Sequence, residues 1–189
     1  MDAESGAVEG VSWQEPPPVR AEKKLIREAQ QGSREAVADI YAAHWPRAHR
    51  AAYLVVHDAA AAEDIAQDAF LAAIDAIDRF DRRRPFAPWL HRIVVNRALD
   101  WARREALRRK AGEPEDQPEA ETASTRIGDE MLAALKELPP EQRAVVVLRH
   151  LLGYTPGEIA RMLELPRGTV NSRLRRALDR LRDLIEVQE

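Results

Sequence analysis

The chain has 189 residues, with 29 Lys and Arg against 32 Asp and Glu, no cysteine and five histidines. The missing cysteines exclude disulfides and thiolate-held zinc, and His44, His49, His57, His91 and His150 include no i, i+4 pair, so neither a metal nor any other cofactor is expected. No apolar run approaches the ~20 residues of a membrane span and the acidic start lacks the basic and apolar regions of a signal peptide, so a cytoplasmic chain is expected.

Alanine, leucine, arginine and glutamate dominate, and no segment alternates with period two for long, which predicts an all-α protein of two small helical domains. Residues 1–20 hold four acidic residues and the run Pro16 to Pro18, and are expected to stand outside the fold as a disordered extension. A first domain is expected over residues 21–110. Leu25, Ile26 and Ala29 mark its first helix, and Gly32 with Ser33 supplies a stop and a new N-cap. The next helix carries Val37, Ile40, Tyr41, Trp45, Ala48, Ala52 and Tyr53 on one stripe, with a kink expected at Pro46. Asp58 then caps a helix running to about Asp78. A loop from Arg79 to Pro88 precedes a fourth helix from near Trp89 to about Arg109.

Residues 111–126, above all the acidic, proline-bearing run from Glu113 to Ser124, read as a linker. Residues 127–189 form the second domain. Within it Thr155, Pro156, Gly157 and Glu158 make a capping box with proline at the first helical position, and Tyr154 and Ile159 stand where a hydrophobic staple needs them. The helix begun there turns Ile159, Met162 and Leu163 inward, and the pattern breaks over Glu164 to Pro166 before a second helix opens. At ~100° per residue, Asn171, Ser172, Arg175 and Arg176 share one arc of that second helix, while Val170, Leu174, Ala177, Leu178 and Leu181 share the other. A polar arginine face is either a solvated surface or, in a helix-turn-helix, the face that enters a major groove. Arginines can take guanine edges there, and Asn or Ser can take base edges or phosphates.

The near-balanced charge hides a local asymmetry. Arg79 to Lys110 holds eleven Lys or Arg against Asp81, Asp100 and Glu105, whereas Glu113 to Glu130 holds seven acids against Arg126. A phosphate responds to the field within about a Debye length, so a basic face can bind nucleic acid in a chain of net charge −3.

Two separated motifs resemble one family, the sigma factors of bacterial RNA polymerase, and within the sigma-70 family the compact extracytoplasmic-function (ECF) type. AAEDIAQDAFLAAIDAIDRF (Ala61 to Phe80) is similar to the helix that docks on the polymerase clamp, and PWLHRIVVNRALDWARR (Pro88 to Arg104) to the helix that melts the promoter and reads its minus-10 element. LPPEQRAVVVLRH and GYTPGEIARMLELPRGTVNSRLRRALDRLR resemble the minus-35-reading module. The resemblance implies an alternative sigma factor, not an enzyme, that directs core RNA polymerase to promoter DNA. The core contacts would be the clamp of the beta-prime subunit and the flap of the beta subunit, and an anti-sigma factor is implied as a further partner. By the same resemblance Glu63, Asp64, Gln67 and Asp68 would meet the clamp, an alternative to a simply solvated acidic stripe. Asn96, Arg97 and Asp100 would contact the unpaired non-template strand, with Arg82, Arg83 and Arg84 in the loop that captures a flipped base; the chain departs from the common pattern by placing Arg-Arg-Arg-Pro there. Asn171, Ser172, Arg175 and Arg176 would meet minus-35 bases, and Arg149, Arg167, Thr169 and Arg173 the phosphates. The acidic linker would thread the polymerase toward the RNA exit. Trp89, Leu90 and Ile93 are expected in the core.

Two other classes fit the same residues less well. A helix-turn-helix repressor acting alone has no use for a second nucleic-acid surface preceded by a docking helix. A nucleic-acid enzyme needs carboxylate or Cys/His clusters at metal-binding spacing, which the sequence lacks.

Overall fold

The computed structural model describes residues 19–111 and 128–186. The extension before Val19 and residues 112–127 of the linker region lie outside the described residues.

Helix α1 (Val19–Gln30) opens within the stretch expected to precede the fold, so Val19 and Arg20 are helical. Gly32, at φ +88°, turns the chain, and Ser33 caps α2 (Arg34–Val56) by accepting a hydrogen bond from the Ala36 amide at 3.2 Å. α2 runs through Pro46 as one helix, and its last two turns, residues 50–56, are buried on every side, with Ala51, Ala52, Leu54 and Val55 no more than 1% exposed. A helix end buried all round must be central. It ends on His57 in the left-handed region, whose N–H donates to Tyr53 O at 2.7 Å. Asp58 accepts from the Ala61 amide at 2.8 Å and starts α3 (Ala59–Asp75). The buried Ala62, Ala66, Ala69 and Ala73 of α3 let α2 approach closely, because methyl side chains leave little to separate the backbones.

α3 stops at Asp75 rather than near Asp78, and a 3₁₀ turn follows over Ile77–Arg79. The Gln30 side chain of α1 donates to Ile77 O at 2.8 Å and Phe80 O at 3.0 Å, which ties that turn to a distant helix. α4 (Phe86–Lys110) begins ahead of Trp89, with Pro88 in its first turn, where a missing N–H costs nothing. Its start is fixed by a partner far away in sequence, since the Glu22 carboxylate accepts from the Phe86 amide at 3.4 Å. The Phe86 ring is fully buried, with centroids 5.6 Å from Phe80 and 5.5 Å from Trp89. Leu90 is core, as expected, while Trp89 and Ile93 are half-buried at its edge.

The second group of helices comprises α5 (Asp129–Lys136), α6 (Pro140–Val146) with a π-helical extension over Val147–Leu151, α7 (Pro156–Met162) and α8 (Arg167–Glu186). α8 packs on α5, α6 and α7. Arg143 of α6 is buried and donates from Nε to Leu138 O at 3.2 Å; burial pulls its guanidinium down to about 10, which leaves it charged at neutral pH. The described residues are thus all-α, two helical units with no strand. They meet along a seam where α2 and α4 face α6, its π extension and α7.

Candidate nucleic-acid interface

The helix-turn-helix forms as its local signals dictate. The Thr155 hydroxyl accepts from the Glu158 amide at 3.3 Å, and the Glu158 carboxylate accepts from the Thr155 amide at 2.8 Å and its hydroxyl at 2.7 Å. Those bonds hold the Glu158 carboxyl below its usual range. α7 closes with Glu164 at φ +55° while the Leu165 amide donates to Ala160 O at 2.9 Å, the left-handed stop that reverses a chain between two helices. Pro166 follows, and α8 begins at Arg167.

On α8, Val170, Leu174, Ala177 and Leu181 are buried, and Asn171, Arg175 and Arg176 lie exposed on the other side with Ser172 and Arg173 half-buried between the arcs. Leu178 departs from the expectation: it is 42% exposed and lines an apolar groove of about 410 Å³ with Met131, Leu135, Val147, Leu151 and Leu54 of α2. Ser172 Oγ donates back to Thr169 O at 3.0 Å, and Arg149 donates to Tyr154 O at 3.3 Å, so both partly serve the local fold. Arg167, Arg173, Arg175 and Arg176 make no side-chain ion pair or hydrogen bond among the described residues. Four guanidiniums are therefore held along one helix with no carboxylate among the described residues to satisfy them.

In the first unit Glu63, Asp64, Gln67 and Asp68 are exposed along α3, and Gln67 donates to Glu63 at 3.2 Å. Asp68 stands 3.6 Å from Arg97 of α4, and Asp100 pairs with Arg103 at 3.1 Å. Those side chains line one open cavity of about 540 Å³ between α3 and α4, so the stripe expected to dock on polymerase and the residues expected to meet unpaired DNA adjoin. Asn96 is half-buried and makes no side-chain hydrogen bond among the described residues. The three loop arginines differ. Arg83 grips Asp81 through both carboxylate oxygens at 2.9–3.1 Å, and its hydrogen bonds hold the Asp81 carboxyl down to about 2. Arg82 and Arg84 stay exposed with their guanidiniums free of such a clamp.

Two polar pairs in the interior have no signature in the sequence. Glu22 of α1 lies 3.2 Å from His44 Nε2 of α2, and His91 of α4 has its Nδ1 2.7 Å from the Tyr154 hydroxyl, which belongs to the second helical unit. Burial first, then the charges of His44 and Arg47, pushes His91 down to about 3, so it is neutral at physiological pH. Burial likewise raises Tyr154 above its ordinary value, which keeps its phenol protonated. That phenol can donate to His91 in the tautomer whose proton sits on Nε2. No local pattern marks residues so far apart in sequence as neighbours. Among the described residues no three His, Cys, Asp or Glu side chains gather as metal ligands would, and no helix is long and apolar enough to cross a membrane.

Residues 40–108 match the family model for sigma-70 region 2, and residues 128–181 match that for sigma-70 region 4. The chain is 36% identical over 167 residues to the ECF RNA polymerase sigma factor SigM of Mycobacterium tuberculosis, covering 88% of this chain and 85% of that one. The chain belongs to the ECF sigma factors. SigW of Bacillus subtilis, another ECF sigma factor, is 31% identical over 176 residues, covering 85% of this chain and 94% of that one. Among solved structures, CnrH in complex with the cytosolic domain of CnrY superposes with a TM-score of 0.65 at 28% identity, over 89% of this chain and 99% of that chain. The sigma factor RpoE of Bartonella quintana, solved with the anti-sigma factor NepR, shares the fold with a TM-score of 0.62 at 23% identity, over 79% of this chain and 96% of that one. The chain is an alternative sigma factor, a factor of transcription initiation built on two helical units.

Proposed function

We propose that this ECF sigma factor reads the minus-35 duplex with Asn171, Ser172, Arg175 and Arg176 against base edges and Arg149, Arg167, Thr169 and Arg173 against phosphates. The observation that carries the reading is the exposed arc of α8, where Arg175 and Arg176, with Arg167 and Arg173 beside them, pair with no carboxylate among the described residues while the opposite arc is locked in the core. A helix held by its apolar side and offering unpaired guanidiniums on the other has the geometry for major-groove insertion. Phosphate contacts set the register and base contacts set the sequence.

In the same proposal residues 21–110 bind the polymerase clamp and the minus-10 element, and residues 127–189 bind the minus-35 element and the flap, with residues 111–126 between. Glu63, Asp64, Gln67 and Asp68 present negative charge to the clamp. Asn96, Arg97 and Asp100, with Arg82 and Arg84 of the loop, hold an unpaired base and its flanking phosphates; Arg83 contributes there only by exchanging Asp81 for a phosphate. Capturing a base offsets the few kcal/mol of unstacking it, so the open promoter gains population without catalysis by this chain. Action on RNA polymerase places the factor in the cytoplasm. The complexes of CnrH with CnrY and of RpoE with NepR support an anti-sigma partner for this chain as well.

The test is binding of the reconstituted holoenzyme to a panel of minus-35 variants. Asn171→Ala and Arg175→Ala are expected to relax base preference by about 1–3 kcal/mol for each lost contact, and Arg173→Ala to weaken all sequences evenly. Unchanged preference in both Asn171→Ala and Arg175→Ala would refute the assignment.

A further inference from the structure

Two side chains of α1 reach the loop between α3 and α4, one at each end. Gln30 donates to Ile77 O at 2.8 Å and Phe80 O at 3.0 Å where the loop begins, and the Glu22 carboxylate accepts from the Phe86 amide at 3.4 Å where it ends. Pro85 offers no side-chain cap to α4, so Glu22 receives an N–H that the helix itself leaves without a partner. The other oxygen of Glu22 lies 3.2 Å from His44 Nε2, and the His44 ring stands 5.2 Å from that of Phe86, so the residue whose amide is held is also packed by its side chain. At ~100° per residue Glu22, Ile26, Ala29 and Gln30 share one arc of α1, and Ile26 and Ala29 are core residues. The helix is thus anchored by the same side that carries the two polar groups.

Between the two ends the Arg84 amide donates to Asp81 O at 2.9 Å and the Arg83 amide to the Asp81 carboxylate at 3.0 Å, a tight turn on which Arg82, Arg83 and Arg84 are exposed. From Ile77 to Phe86 an extended chain would span ~30 Å. Its ends are instead tied to residues about 12 Å apart along one helix, at ~1.5 Å of rise per residue. Phe80 and Phe86, both held by α1, meet with ring centroids 5.6 Å apart, which closes the loop on an aromatic contact.

We propose that α1 is the brace of the base-capture loop, with Glu22 and Gln30 as positioning residues that hold the loop at one width and so set how well it tells one unpaired base from another. The inference rests on the proposed role of that loop, with Asn96, in holding an unpaired minus-10 base. A pocket for an extruded base discriminates by its shape and by the hydrogen-bonding edge it offers, and it does so only while its walls are kept in place by the residues behind them. A loop already held in shape also loses less freedom on capture. Neither Glu22 nor Gln30 touches DNA in this scheme. Both act through the backbone of Ile77, Phe80 and Phe86.

The test uses full-length factor reconstituted with core polymerase and a panel of single-stranded minus-10 oligonucleotides in which each position is varied in turn. Gln30→Ala, at a half-buried site, and Glu22→Ala are expected to reduce discrimination at the captured position by about fivefold or more while binding of a minus-35 duplex is unchanged. Glu22→Gln keeps an oxygen that can accept from the Phe86 amide and is expected to restore most of the discrimination. A merely structural role would weaken every oligonucleotide evenly, and that result would overturn the proposal. Hydrogen exchange in the free factor reads the brace without DNA. The amides of Phe80, Arg84 and Phe86 are expected to exchange about tenfold faster in Gln30→Ala and Glu22→Ala, with the rates in α3 unchanged, and equal loop rates in variants and parent would also overturn it. Faster loop exchange with discrimination intact in the α1 variants but lost in Asn96→Ala would overturn the positioning role. Discrimination intact in Asn96→Ala as well would fault the assignment of the loop to base capture, with the brace still decided by the exchange rates.

Discussion

Acidification should weaken this protein through His91. The imidazole is 3% exposed, and burial, with His44 and Arg47 of α2 facing it, sets its pKa to about 3 against 6.5 for a free histidine. Tyr154 faces it from the second unit, and Glu22 of α1 lies behind His44. Because the folded pKa is the lower, the unfolded chain binds the proton first. The contribution of a neutral buried His91 is therefore complete above about pH 6.5 and is lost progressively as pH falls toward about 3. At ~1.36 kcal/mol for each pKa unit, moving from pH 7.5 to 5 removes about 2 kcal/mol on account of this one group. Urea unfolding followed by circular dichroism at both pH values measures the loss. His91→Asn retains an acceptor for the Tyr154 hydroxyl but cannot take the proton, so its stability should fall by about 2 kcal/mol less than that of the wild type over the same interval. Parallel losses in the two proteins would show that His91 is hydrated in the fold and would refute the reasoning.

Exchanging both Asp64 and Asp68 for Lys should abolish binding to core polymerase while leaving the helical circular dichroism unchanged, since both side chains are exposed on α3 and charge reversal repels a basic partner; a pull-down at wild-type affinity would move the docking surface elsewhere. Asn96→Ala should impair transcription from a fully paired promoter more than from one with a pre-opened bubble, because pre-opening removes part of the unstacking cost. Equal losses on the two templates would reduce Asn96 to a phosphate contact or a fold element. Thr155→Ala removes the hydroxyl that accepts from the Glu158 amide, and should cost about 1 kcal/mol in urea unfolding. A change within the error of the measurement would mean that the Glu158 carboxylate alone stops α7 from fraying.

Features that a few neighbouring residues decide were legible in the sequence. The caps at Ser33, Asp58 and Thr155 formed as read because a side-chain oxygen and an amide three residues on meet whatever the rest of the chain does. The buried arc from Val170 to Leu181 followed from helical period, and the free arc of Asn171, Arg175 and Arg176 from the same count. Tertiary structure decided wherever a partner comes from afar. α4 starts at Phe86 because Glu22 receives its amide, and the chain turns after Asp75 where Gln30 holds two carbonyls. Leu178 fits the apolar arc by count yet remains 42% exposed, since it lines a groove that no helix among the described residues fills. Arg83, alike its neighbours in sequence, is the one of the three clamped by Asp81. The pairs Glu22–His44 and His91–Tyr154 draw on α1, α2, α4 and the segment before α7, and the seam that His91–Tyr154 helps to close exists only after both units have folded. Sequence sets what each helix presents along its own length, because that depends on local period and capping; which faces meet depends on long-range packing, where burial of apolar surface chooses among many pairings that no local pattern distinguishes.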